Sequence, residues 1–158
     1  MNLPQYPTDR VYIYQTDKEF SVIPAMHPSG CYFMSWVESI TAYFNLPFTH
    51  ESVIEFYNKE VANTTADVDN EMFVSDPQNL IDDLIGKDKV KFLGVKDATY
   101  ECGDDEIEIG CWHKDGANFN HFTHNNGKGI VLYDPWSSTG SSSVIDGQLI
   151  SKRVAKLI

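Results

Sequence analysis

Apolar positions follow two different rhythms along this chain, and the change falls at Gly86. Before it the rhythm is helical. From Cys31 to Phe44 the residues Phe33, Met34, Trp36, Val37, Ile40, Ala42, Tyr43 and Phe44 leave few polar sides, and neither Gly nor Pro interrupts them. That pattern predicts a helix in the middle of a domain. Asn45-Leu46-Pro47 stops it. Thr49 is the expected N-cap of a second helix from about His50 to Val61, with Glu51 well placed in its first turn. Asp76-Pro77 opens a third helix that Gly86 closes. The stretch 63–70 is polar and reads as a loop. Upstream, Val11-Tyr12-Ile13-Tyr14 and Phe20-Ser21-Val22-Ile23 read as short β-type runs behind a proline-containing lead-in over 1–10.

After Gly86 the pattern alternates. Residues 89–95 read as a strand, and 106–112 put Ile107, Ile109 and Cys111 on one face. The acidic residues Asp104, Asp105, Glu106 and Glu108 are expected on a solvated face, or as a surface for a basic partner. Two further strands, 118–124 and 129–134, flank Asn125-Asn126-Gly127-Lys128, a hairpin signal. Ser137 to Ser143 reads as a Ser-rich surface loop beside the site, and 151–157 as a closing strand. No repeat or linker is visible. Helices first and an antiparallel sheet second predict a single α+β domain over residues 1–158, with the Cys31 helix packed on the sheet.

Composition narrows the function classes. A chain of 158 residues, 42% hydrophobic and 13% aromatic, suits a packed globule. Its formal net charge of −11 argues against nucleic-acid binding and against adsorption to anionic membranes. No apolar run approaches the ~20 residues of a membrane span. The N-terminus shows no secretion signal, and three cysteines, Cys31, Cys102 and Cys111, suggest reduced thiols in a cytoplasmic setting rather than a disulfide framework.

The chemistry concentrates around Pro28-Ser29-Gly30-Cys31, a turn that delivers a cysteine to a helix start. Unpaired N–H groups and the helix dipole there favour a thiolate, although a free cysteine is equally at home as buried filler. A cysteine nucleophile needs a base, and the base an orienting group. Of the five histidines, His121 is the one that hairpin parity favours. A loop of two or four residues after His124 pairs 121 with 132 and makes Asp134 a diagonal neighbour of His121 on the same face, with His124 on the other. A loop of three or five residues reverses the assignment. A zinc site built on His121-x-x-His124 with Cys102 or Cys111 lacks the paired spacing such sites use, so neither metal nor cofactor is expected.

The order helix-Cys, hairpin His, strand-end Asp resembles the papain-like cysteine peptidase superfamily, most closely its C39-like branch and small phage and bacterial relatives. The resemblance is carried by Gly30-Cys31-Tyr32-Phe33, His121-Phe122-Thr123, Tyr133-Asp134-Pro135-Trp136, and a tail of Gly147 and Ser151-Lys152-Arg153-Val154. It spans about residues 20 to 158. It implies a papain-like fold with Cys31 as nucleophile, His121 as general base and acid, and Asp134 as orienter. The substrate would be a peptide or protein, such as a wall stem peptide, in an intracellular or phage-encoded role. The chain departs from the pattern at one place. The family's oxyanion Gln, about six residues before the cysteine, is Ala25 here. Gln15 lies too far upstream for a simple substitution, which leaves His27 as the candidate donor with Ser29 nearby. The alternatives are thioester transfer in the same site, or a papain-like fold whose catalysis has faded and which binds other proteins.

Overall fold

The computed structural model describes residues 1–63 and 68–158. The expected loop over 63–70 lies partly outside them. The protein is α+β: helices α1 (Met26–Ser29), α2 (Cys31–Tyr43), α3 (His50–Ala62) and α4 (Pro77–Ile85) precede a sheet of β1 (Val90–Asp97), β2 (Glu106–His113), β3 (His121–Asn125), β4 (Val131–Tyr133) and β5 (Gln148–Leu157). A short helix α5 (Ser142–Ile145) lies between β4 and β5. The strand order is β1-β5-β2-β3-β4, antiparallel throughout. The last strand therefore inserts between β1 and β2.

The helical signals act as expected. Thr49 accepts from Ser52 N while Ser52 Oγ accepts from Thr49 N, a reciprocal cap at the start of α3. Asp76 caps α4 with Pro77 in its first turn, and Gly86 ends it at φ +94°, a conformation that favours glycine. α2 is buried on nearly every side: Phe33, Met34, Trp36 and Ile40 have no exposed surface. Its rings meet both layers, Tyr32 against Phe122 at 4.5 Å, Trp36 edge-on to Phe92 at 5.8 Å, and Phe33 against Phe56 and Tyr57 at 6.0 Å.

Two of the expected strands form other structures. Lys18–Val22 is a 3₁₀ turn, opened by Phe20 N donating to Asp17 O and closed by Ile23 N donating to Phe20 O. Residues 11–14 form no ladder. Instead Tyr12 and Tyr14 stack on Tyr133 at 5.4 and 5.9 Å, and Tyr133 Oη donates to Ile13 O. Aromatic and β-branched residues were placed here by side-chain packing, which a β-type composition does not distinguish from strand pairing.

The acidic face of β2 also needs correction. Glu108 has no exposed surface, because it receives Lys152 Nζ at 2.7 Å, Asn125 Nδ2 at 2.8 Å and Gly129 N at 3.0 Å. Burial of a carboxylate is tolerable with a cation and two N–H donors around it. A second buried carboxylate, Glu38 in the middle of α2, accepts from His124 Nδ1 (2.7 Å) and Tyr6 Oη (3.0 Å) and forms an ion pair with the Arg10 guanidinium, Nε at 3.1 Å. That cluster ties residues 6–10 to α2 and occupies His124. Among the described residues no helix is long and apolar enough to cross a membrane.

Candidate active site

Cys31 stands at the first position of α2. The α1–α2 junction is tight: Gly30 N donates to Met26 O at 2.8 Å, and a Cβ on Gly30 would lie 2.6 Å from that same oxygen and collide with Met26 Sδ. A side chain at 30 would therefore push the start of α2 away from α1, so glycine is needed here for space and not for an unusual φ. The Pro-Ser-Gly turn expected before the cysteine is in fact this one-turn helix.

His121 opens β3 and is 4% exposed. Its Nε2–H donates to Asp134 Oδ1 at 2.7 Å. The hairpin that brings them together differs from the expected one in two compensating ways. Asn125 pairs with Val131, leaving the five residues 126–130 as the loop, and Asn126 Oδ1 orders it by accepting from Lys128 N and Ile130 N. Five residues alone would have reversed the parity. A bulge shifts the next pair to His124↔Tyr133 and restores it, so counting on along the strand puts Asp134 diagonal to His121.

Asp134 is held by more than the histidine. Oδ1 also accepts from Trp136 N at 2.9 Å, and Oδ2 accepts from Ser141 N at 2.8 Å. The Ser-rich segment is thus no solvated loop throughout: Ser141 and Ser143 are buried, and Ser141 Oγ caps α5 by accepting from Ser143 N. Its backbone fixes the carboxylate that fixes the imidazole. Burial disfavours charge on the His121 ring, but hydrogen bonds to Asp134 and Cys31 and the electrostatic pull of both outweigh it, pushing the ring up to about 9.

Two cavities meet at Cys31. One, about 480 Å³, is lined by Gln15, His121, Trp136 and residues 139–142. The other, about 540 Å³, is lined by Tyr32, Met72, Phe73, Val74, Phe122 and Arg153. Pro28, Phe119 and Asn120 line both. The structure thus brings Cys31, His121 and Asp134 together.

His27 takes a different place. It is exposed, its ring stands edge-on to Trp136 at 5.2 Å, and it lines neither cavity that contains Cys31. The residue that sequence reasoning set aside, Gln15, lines the His121 cavity and is 2% exposed. It arrives there because Gln15 N donates to Pro135 O at 2.8 Å and Thr16 Oγ1 to Trp136 O at 2.7 Å, next to Asp134 in the chain. Its Nε2 donates to His27 O at 2.8 Å and more distantly to Met26 O at 3.4 Å, which fixes the amide orientation, since a carbonyl requires a donor; Oε1 is buried without a partner. Nothing in the spacing from 15 to 31 signals this, because the approach runs through Pro135 and Trp136, just after β4, and not along the chain.

The family-model comparison covers almost all of this architecture, matching residues 12–157. The chain belongs to the DUF261 family, described as proteins of unknown function. The matched span takes in Gln15, Cys31, His121, Asp134 and the sheet that positions them. No curated protein and no solved structure matches the chain.

A metal has one possible seat among the described residues: Asp17, Glu19 and His50, whose ligand atoms lie within 4.8 Å of one another. His50 Nε2 is 2.9 Å from Asp17 Oδ2 and 3.0 Å from Glu19 Oε2, an ion-pair cluster joining the 3₁₀ turn to α3.

Proposed function

We propose that this DUF261 protein is a papain-like cysteine hydrolase that cleaves a peptide or isopeptide bond through an acyl-thioester on Cys31. The observation that carries this reading is His121 held by Asp134 through Nε2 while Cys31 acts on the same ring, at a point where two cavities meet. With Nε2 committed to the carboxylate, Nδ1 is the nitrogen left to serve the thiol.

The steps follow from that arrangement. Cys31 Sγ attacks the substrate carbonyl carbon, and its proton resides on His121 Nδ1. The oxyanion that develops is met by the Cys31 backbone N–H at the start of α2 and by the Gln15 amide, whose Nε2 turns the weaker of its two hydrogen bonds, to Met26 O at 3.4 Å, toward the substrate. Collapse breaks the C–N bond, and His121 gives its proton to the departing amine. Water then attacks the thioester carbonyl, losing a proton to His121, and the acid leaves as the thiol is restored. Asp134 keeps the ring in one tautomer and stabilises its cation throughout.

Gln15 bears on the competing reading, a faded fold that only binds proteins. That reading rested on Ala25 standing where the family's oxyanion glutamine would be; an amide in the same cavity as Cys31 removes its main ground. The test is alkylation of the folded protein by iodoacetamide near pH 7, followed by peptide mapping. Burial and the nearby Glu108 push Cys102 up to about 12, and burial raises Cys111. Cys31 is expected to react at least tenfold faster than either, with the advantage lost in His121→Ala. Equal rates at all three thiols would leave Cys31 a packing residue.

A further inference from the structure

The chain's two arginines are used in opposite ways. Arg10 is buried against Glu38. Arg153, half-buried on β5, lines the cavity that contains Cys31 but not His121, and among the described residues it forms no ion pair. Its neighbours are neutral. Nη1 donates to Ser151 Oγ, the guanidinium stands 5.2 Å from the Phe122 ring centroid, and the Tyr32 hydroxyl and Cys111 thiol nearby are both made harder to ionise by burial. A cation oriented by a ring and a hydroxyl, in a protein of net charge −11, is a built receptor for an anion. The other charged residue of this cavity, Glu71, is exposed and makes no ion pair with it.

We propose that Arg153 selects substrates whose acyl half carries a carboxylate. This rests on the hydrolase reading, and the assignment to the acyl half follows from proton transfer. The leaving amine must touch the group that protonates it, so it belongs in the cavity lined by His121; the acyl half then takes the cavity lined by Arg153. Two kinds of acyl group present a carboxylate there: one with an acidic side chain, and a γ-linked glutamate with its free α-carboxylate.

Three chloromethyl ketones separate these cases: one on the α carbonyl of N-acetylglutamate, one on its γ carbonyl, and one on the α carbonyl of N-acetylglutamine as the neutral control. Cys31 alkylation is followed by intact mass, each rate divided by that of the same ketone with N-acetylcysteine. At least one anionic ketone is expected to react about tenfold faster than the control, the modest gain of a charged hydrogen bond at a half-exposed site. A faster α ketone assigns an acidic side chain, a faster γ ketone the free α-carboxylate. Arg153→Met should abolish the advantage, bringing the anionic ketones down to the rate of the neutral control. The wild-type comparison needs no variant, so a misfolded Arg153→Met does not protect the idea. Anionic ketones no faster than the control, while iodoacetamide still prefers Cys31, would overturn the role of Arg153 alone. Loss of the iodoacetamide preference would overturn the hydrolase reading, and this proposal with it.

Discussion

Replacing Asp134 by Asn removes one of the two groups that hold His121 protonated while nearly preserving the shape. In the folded protein the ring rises from its ordinary 6.5 to about 9, although burial alone would lower it. The rise corresponds to roughly 3 kcal/mol in favour of the cation. Asparagine deletes the carboxylate's pull and turns an NH2 group toward Ser141 N in one amide orientation, or toward both His121 and Trp136 N in the other. Burial is then opposed only by Cys31, and His121 should titrate about one to two pH units lower. The direct assay is NMR of the ring nitrogens across a pH titration. Stability supplies a second reading with a definite sign. A group whose pKa is raised by folding stabilises fully below its unfolded value and loses that contribution as pH rises through the folded one. The His121 contribution is therefore present below pH 6.5 and gone above about 9. Urea unfolding should show the gap between wild type and Asp134→Asn to be larger at pH 6 than at pH 10, by about 1–3 kcal/mol, the rest of the rise being owed to Cys31. The remaining gap at pH 10, about 1–3 kcal/mol, is the cost of the mispaired donor. A His121 that still titrates near 9 in the variant would refute the coupling.

Once a cleavable substrate is in hand, Gln15→Ala should lower turnover by ~10²–10³ with little change in KM, because the amide acts on charge developed in the transition state. His27→Ala should leave turnover within about twofold; the opposite pattern would return the oxyanion role to His27. Glu108→Ala strands the Lys152 ammonium in the sheet and should cost about 3–5 kcal/mol in urea unfolding, with Glu108→Leu/Lys152→Met recovering only part of it, because Asn125 Nδ2 and Gly129 N lose their acceptor. A loss below about 1 kcal/mol for the single change would mean that the pair is not buried as described.

What the sequence determined by itself is what local chemistry controls. The three longer helices, their caps and their ends could be read from residues a few positions apart, since capping and helical periodicity are contacts within one or two turns. The switch to alternation after Gly86 announced the sheet for the same reason. The candidate triad was legible in part, as residue types in order, and its parity argument reached the right face by way of two features it did not contain, the five-residue loop and the bulge at Leu132. Tertiary structure decided the rest. Gln15 reaches the Cys31 cavity through backbone bonds to Pro135, across 120 residues of chain, so no spacing rule along the sequence can find it. Glu108 and Glu38 are buried because partners from β5 and from residues 6–10 come to meet them, and an acidic residue read alone belongs in water. The tyrosines at 12 and 14 were free to form a strand or a stack until Tyr133 supplied the surface. Local free energies choose an element, but whether a polar side chain ends in solvent, in an ion pair or at a reacting carbonyl depends on which distant group desolvates it.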